Sequence, residues 1–275
     1  MTTQPNCKIN LGLHIVEKRP DGYHNIETIF YPIKPLCDQL EISPSDNFEF
    51  EIDGIALDCT AEDNLCIKAY KLIKADYPNE VTNVSIKLRK NIPFGAGLGG
   101  GSADAAFTLT MINTIFDLHL STEQLQGYAR RIGADCAFFI KNIPLYATQK
   151  GDVFEDITLS LRNYMLLIVK PDVYISTAEA YSGVKPQKPK YNLKEIIAKP
   201  VEEWKNYMYN DFEKTIFESH PLLANIKEMM YTQGALYAAM SGSGSTIFGI
   251  FDKNAEINIE KFDNKGVTHI IRNLE

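Results

Sequence analysis

The stretch that most constrains this 275-residue chain is "NIPFGAGLGGGSADAA", residues 91–106, which places five glycines within seven residues. Glycine adopts left-handed backbone conformations without steric cost and lets backbone amides approach a ligand closely. The alanine-rich run that follows has helical spacing, so the glycines stand directly before a helix. Ser102 is the predicted N-cap of that helix, and Asp104 is predicted in its first turn, where the helix dipole favours an acid. The segment therefore predicts a phosphate-binding helix N-terminus.

Three interpretations of this glycine-rich segment compete. Gly95, Gly97 and Gly100 fit the G-x-G-x-x-G spacing of dinucleotide-binding folds, but those folds need a strand that runs straight into the loop. Here Pro93 intervenes, and residues 112–120 keep helical spacing where a second strand ending in an acid is required. A nucleoside-triphosphate loop ends in Gly-Lys-Ser/Thr, whereas this one lacks the lysine, so the cation must come from elsewhere or from magnesium. A plain structural turn is disfavoured because ordering five glycines costs much conformational entropy.

Periodicity along the rest of the chain predicts a mixture of strands and helices with few regular β-α-β units. The strand "KINLGLHIV", the turn "RPDGYH" and the strand "YHNIETIFYPI" predict a β-hairpin over the first 33 residues. Helical spacing follows Asp63 or Asn64, and again follows Ser121, each placed as an N-cap. Near the end, "ALYAAM" and "STIFGIF" predict two strands around a second glycine turn, "SGSG". This order favours an α+β fold with a boundary near residues 155–165.

Composition and charge limit the class of protein. The net charge of −7 and the lack of a basic tract argue against nucleic acid as a partner. The odd number of cysteines, with no Cys-x-x-Cys pair, predicts reduced thiols rather than disulfides or a zinc site: Cys7, Cys37, Cys59, Cys66 and Cys136. No signal-peptide pattern and no apolar run of about 20 residues is present. We therefore expect a cytoplasmic protein without a membrane partner or an evident obligate protein partner.

The segment "PFGAGLGGGSADAA" resembles the ATP loop of the GHMP kinases, which include galactokinase, homoserine kinase and mevalonate kinase. The segments "PNCKINLGLHIVEKRPDGYHNIETIF", "EDNL", "IGADCAFF", "NDFE" and "SGSGSTIFGIF" resemble, in order, the members that phosphorylate a cytidylated methylerythritol. The resemblance covers nearly the whole chain. It implies a two-domain α+β fold with the active site in a cleft between the domains, an ATP-binding domain over residues 1–158 and a C-terminal domain over residues 159–275. It also implies ATP and magnesium, and transfer of the γ-phosphoryl group to the C2 hydroxyl in non-mevalonate isoprenoid synthesis.

The resemblance assigns catalytic roles to Lys8 and Asp135. Lys8 matches a cation that stabilises the transferring phosphoryl group, and Asp135 matches the base that accepts the hydroxyl proton. From the pattern alone, Lys8 is a solvated lysine on the polar face of a strand, and Asp135 is the N-cap of a short helix, a role compatible with the first. The residues that the resemblance assigns to ATP binding are Asn64, Lys90, Pro93, Phe94, Gly95, Ala96, Gly97, Leu98, Gly99, Gly100, Gly101, Ser102 and Ala103.

The resemblance also assigns residues to the substrate. Tyr23 and Tyr181 match aromatic rings that stack on cytosine, and His24 matches a side chain that hydrogen-bonds the edge of the base. From the pattern alone, Tyr23 and His24 are ordinary hairpin residues and the second glycine turn is a hairpin connector. The predicted substrate residues are Asn10, Tyr23, His24, Thr177, Tyr181, Gly242, Ser243 and Gly244.

The chain departs from the family pattern at two places, and two alternative functions remain open. Ala103 occupies a position where related loops often carry serine, and Cys136-Ala137 replaces a common Val-Pro pair. Spacing alone nominates no acid as a magnesium ligand. The alternatives are a homoserine- or mevalonate-type kinase, against which the Asp-Gly-Tyr-His segment argues, and a catalytically inactive nucleotide-binding relative, against which the intact Lys8 and Asp135 argue.

Overall fold

A computed structural model describes residues 1–55, 61–272 and 274. The described strands are β1 (Thr2–Thr3), β2 (Asn6–Lys18), β3 (His24–Cys37), β4 (Gln39–Pro44), β5 (Glu49–Gly54), β6 (Val84–Lys90), β7 (Leu145–Thr148), β8 (Val153–Asp156), β9 (Tyr164–Lys170), β10 (Tyr237–Met240), β11 (Ile247–Asp252) and β12 (Val267–Ile271). The described α-helices are α1 (Leu65–Asp76), α2 (Gly100–Ile115), α3 (Thr122–Ile132), α4 (Cys136–Lys141), α5 (Thr177–Ser182), α6 (Leu193–Ile197), α7 (Val201–Trp204), α8 (Glu213–Ser219) and α9 (Pro221–Thr232).

The first of two compact units consists of Met1–Lys8, Leu36–Phe94 and Gly99–Ile143. Its sheet has the order β1-β4-β6-β5, in which β6 pairs antiparallel with β4 and parallel with β5. Helix α1 packs on α2, and α2 packs on β4 and α4. Helical spacing places Ala105, Leu109, Ile112 and Phe116 on one face of α2. The first three are fully buried, whereas α2 ends at Ile115 and Phe116 is half-buried at its C-cap.

The second unit consists of Ile9–Pro35, Gly95–Leu98 and Pro144–Glu275. It contains the antiparallel sheet β10-β11-β9-β12, on which α9 packs, and most of the sheet β2-β3-β7-β8. The second glycine turn joins β10 to β11 as predicted, with Met240 opposite Ile247. Both units are built from separate stretches of the chain, and the division at residues 158/159 stays a prediction.

The predicted N-terminal hairpin is confirmed, because β2 and β3 are neighbours in their sheet. The prediction of a solvated polar face on β2 is wrong. Every residue from Asn6 to Ile15 is buried, including Lys8 and His14 on the polar face. Alternation shows which residues share a face, but it does not show whether that face is covered.

The predicted N-caps of α1 and α3 are confirmed, whereas the predicted N-cap of α2 is wrong. Asn64 caps α1 by accepting a hydrogen bond from the amide of Cys66, and Ser121 caps α3 in a capping box with Gln124. Ser102 is not the N-cap of α2. The helix begins at Gly100, after Gly99 at φ 73°, so Ser102 lies in its first turn, and Asp104 comes after that turn.

Four of the five cysteines are described, and all four are free thiols; Cys59 lies outside the described residues. Burial raises the pKa of Cys136 to about 12 and raises the pKa values of Cys7 and Cys66 further. These buried thiols are therefore protonated and unreactive near neutral pH. Within the described ranges, no helix has both the length and the apolar character needed to cross a membrane.

Candidate active site

Lys8 and Asp135 meet in the first unit beside the start of α2. The Lys8 Nζ atom lies 3.3 Å from Asp135 Oδ2, and the lysine side chain is 3% exposed whereas the aspartate side chain is 34% exposed. A Cβ atom on Gly99 would lie 3.2 Å from Lys8 Cε, so the lysine stem passes directly under the residue that precedes α2. A buried cation thus sits below the helix N-terminus, with a partly exposed carboxylate beside it.

Asp135 occupies the N-cap position of α4, as predicted, but its side chain makes no capping hydrogen bond. The carboxylate turns to Lys8 instead. Next to it, the buried thiol of Cys136 hydrogen-bonds to Ser102 in the first turn of α2. Cys136, one residue of the Cys136-Ala137 departure, therefore links α4 to α2.

The glycine-rich segment alternates between left-handed glycines and buried apolar residues. Gly95, Gly97 and Gly99 have φ values of 62°, 74° and 73°, while Ala96 and Leu98 between them are buried. The buried side chains of Ala96 and Leu98 anchor the loop. The glycines that alternate with them carry no side chain, so their backbone amides are not covered by the loop's own side chains. After it, α2 supplies the unpaired N–H groups of a helix N-terminus, which attract phosphate.

The remaining predicted ATP residues differ widely in exposure. Phe94 is 49% exposed, whereas Asn64 is buried and its Oδ1 accepts the Cys66 amide at 2.9 Å. Ala103 is fully buried, so a serine at this departure would direct its hydroxyl into the core. Among the other predicted residues, Gly101 is exposed, Gly100 is buried and Pro93 is half-buried.

Lys90, another predicted ATP residue, is buried at the end of β6 between two carboxylates. Its Nζ atom donates to Asp38 Oδ2 and, at 2.6 Å, to Asp104 Oδ2. The other oxygen of Asp38 accepts the backbone amides of Asn91 at 2.6 Å and Ile92 at 2.8 Å. The triad Asp38–Lys90–Asp104 thus ties the strand end before the glycine-rich segment to the helix after it.

The charges of this triad do not balance, because two carboxylates surround one ammonium group. Burial raises the pKa of Asp104 to about 8, although Lys90 opposes the shift. Burial alone would lower the pKa of Lys90, but the two carboxylates together raise it. The Asp104 Oδ1 atom is buried without a hydrogen-bond partner, which fits a site that favours the protonated acid.

In the second unit, the second glycine turn packs against the first loop. Ser241 Oγ donates to the carbonyl of Gly97 at 2.8 Å, and the amide of Thr246 donates to the carbonyl of Ala96 at 3.3 Å. A Cβ on Gly97 would lie 2.0 Å from the Ser241 carbonyl oxygen, so only glycine permits this approach. Gly242 and Gly244 in this turn have φ values of 56° and 92°, and Ser243 between them is half-buried.

Asn10, the buried polar residue predicted for the substrate, lies beside the second glycine turn. Its Nδ2 atom donates to Thr28 Oγ1 at 3.0 Å, and that hydroxyl donates to the carbonyl of Gly12 at 2.6 Å. A Cβ on Gly242 would lie 3.5 Å from Asn10 Oδ1. The strand β2 and the glycine turn therefore meet at this amide.

The aromatic residues predicted for cytosine lie in the second unit, where Tyr23 is exposed and His24 and Tyr181 are half-buried. His24 stacks on Tyr181 with ring centroids 4.8 Å apart, and Tyr181 packs edge-on against Phe212. Tyr23 is 62% exposed, with Lys150 Nζ 5.1 Å from its ring centroid. Burial and then Lys18 lower the pKa of His24, so the neutral ring offers one donor and one acceptor near pH 7. Thr177 is exposed at the first residue of α5.

Sequence reasoning missed the roles of Asp38, Asp104 and Asn210. Asp38 and Asp104 hold Lys90 although they lie 52 and 14 residues from it in the chain. Asn210 donates to Met240 O and Gly242 O, 30 and 32 residues away. A single sequence carries no local signal for such pairs. The segment "NDFE", which begins at Asn210, is similar to a family motif, but that similarity does not indicate the partners of Asn210.

Two family profiles match the chain: "GHMP kinases N terminal domain" over residues 64–142 and "GHMP kinases C terminal" over residues 192–266. A Bacteroides fragilis protein named 4-diphosphocytidyl-2-C-methyl-D-erythritol kinase is 52% identical over 267 residues, which are 96% of each protein. A Parabacteroides distasonis protein of the same name is 56% identical over 249 residues, 90% of this chain and 91% of the relative.

Solved structures of two kinases have a fold similar to that of this chain. The crystal structure of a 4-(cytidine 5'-diphospho)-2C-methyl-D-erythritol kinase matches 98% of this chain and 98% of its own, with a TM-score of 0.83 and 28% identity. The Methanococcus jannaschii mevalonate kinase matches 98% of this chain and 96% of its own, with a TM-score of 0.74 at 18% identity. At that identity the second match speaks for the fold alone.

Proposed function

Because this chain belongs to the GHMP kinases, we propose that it transfers the γ-phosphoryl group of ATP to the C2 hydroxyl of 4-diphosphocytidyl-2-C-methyl-D-erythritol. The observation that carries the chemistry is the buried Lys8, 3.3 Å from the partly exposed carboxylate of Asp135 and below the N-terminus of α2. The relatives at 52% and 56% identity, both named as kinases of this substrate, support the choice of acceptor.

The first unit supplies the groups for phosphoryl transfer. The amides at the start of α2 bind phosphate oxygens, and the Lys8 ammonium stabilises negative charge on the transferring group. A bond forms between the C2 oxygen and the γ-phosphorus as the bond to the bridging oxygen of ADP breaks. The hydroxyl proton passes to Asp135. Since the transition state is loose, orientation of the hydroxyl by Asp135 contributes beside proton removal.

The second unit supplies groups for the cytidine. Tyr23 and Tyr181 offer aromatic faces, and the neutral ring of His24 offers a donor and an acceptor that suit the edge of cytosine. Asn10 and the amides of the second glycine turn are polar groups of the same unit that suit a substrate bearing a diphosphate.

Magnesium fits this proposal as an ion held mainly by the ATP phosphates. In kinase sites it keeps several water ligands and takes only one or two carboxylates from the protein. Ser102, in the first turn of α2, and Asp135, beside Lys8, each carry a side-chain oxygen that would suit such an ion. When bound, the ion neutralises charge on the phosphate oxygens.

The test is release of ADP by the purified protein with ATP, magnesium and one acceptor at a time. We expect turnover with 4-diphosphocytidyl-2-C-methyl-D-erythritol and none with homoserine or mevalonate. Turnover with one of the latter alone would leave a kinase but refute the proposed acceptor. Binding of ATP without turnover on any of the three would favour a catalytically inactive relative.

A further inference from the structure

The segment Tyr209–Glu213, which contains "NDFE", is attached to β2 in the second unit. The amide of Leu13 donates to Tyr209 O at 3.0 Å, and the amide of Asp211 donates to Leu13 O at 2.8 Å. The amide of Ile15 also donates to the Asp211 carboxylate at 2.7 Å. Three hydrogen bonds thus hold this short segment on the strand that carries Asn10.

Two side chains of this segment hold the beginning of the second glycine turn. Asn210 Nδ2 donates to Met240 O and to Gly242 O, both at 2.8 Å, and its Oδ1 accepts the Phe212 amide at 3.0 Å. Glu213 Oε1 accepts the Met240 amide at 2.8 Å, while its other oxygen pairs with Lys227. Both backbone groups of Met240 are therefore held by side chains of one segment.

Both N–H groups of the Asn210 side chain are used, and its oxygen also has a protein partner. The residue is 3% exposed. Asn210 therefore acts on a ligand only through the turn that it holds. The second glycine turn donates a hydrogen bond from Ser241 to the Gly97 carbonyl. Gly242 of the same turn lies next to Asn10.

We propose that Asn210 is a positioning residue, whose amide sets the second glycine turn in the conformation that binds the diphosphate-bearing substrate. This inference rests on the proposed function. If Gly242 shifts, the turn moves relative to Asn10 and to the first glycine loop. The contact at Gly97 leaves no free space to absorb such a shift. Loss of the two Asn210 donors therefore weakens substrate binding, even in protein that remains folded.

The test compares Asn210→Asp with wild type and with Asn192→Asp. The substitution at Asn210 keeps the size of the side chain and the acceptor for the Phe212 amide, but replaces the nitrogen that donates to both carbonyls by an oxygen atom. Asn192 is a matched control, because its Oδ1 accepts the amide of Lys194, two residues on, at an exposed helix cap. Steady-state kinetics are measured with the cytidylated polyol at a temperature where circular dichroism shows each protein to be folded.

We expect Asn210→Asp to raise the KM for the cytidylated polyol by about tenfold or more, since two buried acceptors lose their donor. Asn192→Asp keeps the wild-type KM. A purely structural role gives a different result, in which the apparent kcat falls with the folded fraction and KM is unchanged; that result overturns the proposal. Wild-type protein without turnover would refute the proposed function instead, so the two failures are distinguishable.

Asn210→Ala is the second variant, for the case in which Asn210→Asp does not fold. It removes both donors without adding like-dipole repulsion, and the same rise in KM is expected. An unchanged KM for this variant contradicts the proposal. Failure of both variants to fold also contradicts it, because Asn210 would then serve global stability rather than the conformation of the turn.

Discussion

Replacement of Gly97 by alanine tests the contact between the two glycine loops most severely. Gly97 has φ 74°, and an added Cβ would lie 2.0 Å from the carbonyl oxygen of Ser241 and 3.1 Å from that of Gly244. Ordinary contact begins at 3.4 Å, so the two backbones must separate by about 1.4 Å, the difference between 3.4 and 2.0 Å. Both obstacles are main-chain atoms, so rotation of a side chain cannot relieve the clash.

The expected cost of Gly97→Ala has two parts. The left-handed conformation costs an alanine about 1–2 kcal/mol, and overpacking against backbone costs about 1–3 kcal/mol, so the free energy of unfolding falls by about 2–5 kcal/mol. Displacement of about 1 Å near reacting groups costs about 100-fold in rate. We therefore expect kcat/KM to fall by about 100-fold or more in the protein that remains folded.

Gly234→Ala is the matched control for Gly97→Ala. Gly234 also has a positive φ, 93°, but nothing lies within 4 Å of its added Cβ. It should lose about 1–2 kcal/mol to backbone strain and keep wild-type kinetics. Urea denaturation and ADP release measure both quantities. Equal kcat/KM values for the two variants would refute the argument that contact between the glycine loops matters for turnover.

Asp135→Asn lowers kcat by about 10²–10⁴-fold with a nearly unchanged KM, because it removes the proton acceptor; near-wild-type ADP release would exclude the base role. Tyr23→Ala raises the KM for the cytidylated polyol by about tenfold through lost stacking, and an unchanged KM would contradict the stacking. Asp104→Asn changes stability with pH. The raised pKa of Asp104, about 8 in the folded protein, means that wild type loses stability as pH rises from its unfolded pKa, about 4, to about 8. The stability advantage of Asp104→Asn over wild type, measured by urea denaturation, should therefore grow over that range and then level off; a constant difference would contradict the assignment.

Short-range signals explain which elements the sequence predicted correctly. The Pro-Asp-Gly turn separates β2 from β3, and Ser121 followed three residues later by Gln124 forms the capping box of α3. The turn and the capping box each depend on residues within a few positions of one another in the chain. The cap at Ser102 was wrong because Gly99, in a left-handed conformation, starts α2 earlier than a preference for serine caps suggests.

Long-range packing explains what the sequence did not predict. The alternation in β2 placed Lys8 on a polar face, but its burial beside Gly99 and its pairing with Asp135 depend on tertiary packing. The site of Lys90 likewise depends on Asp38 and Asp104, which lie 52 and 14 residues from it in the chain. The resemblance to known kinases assigned Lys8 and Asp135 to one site, and the two side chains do meet, whereas the residue pattern alone favoured a solvated lysine and a helix cap.

The position of the new phosphate on the product is the decisive test of phosphoryl transfer to the C2 hydroxyl. In 4-diphosphocytidyl-2-C-methyl-D-erythritol, C2 carries the methyl group and no hydrogen, whereas C1 and C3 carry hydrogens. Transfer to the C2 hydroxyl should give ADP in equal amount to product, and a phosphorus NMR signal for the new monoester without three-bond coupling to a carbinol proton. A signal split by such coupling, or ADP formed without any new monoester, would contradict it.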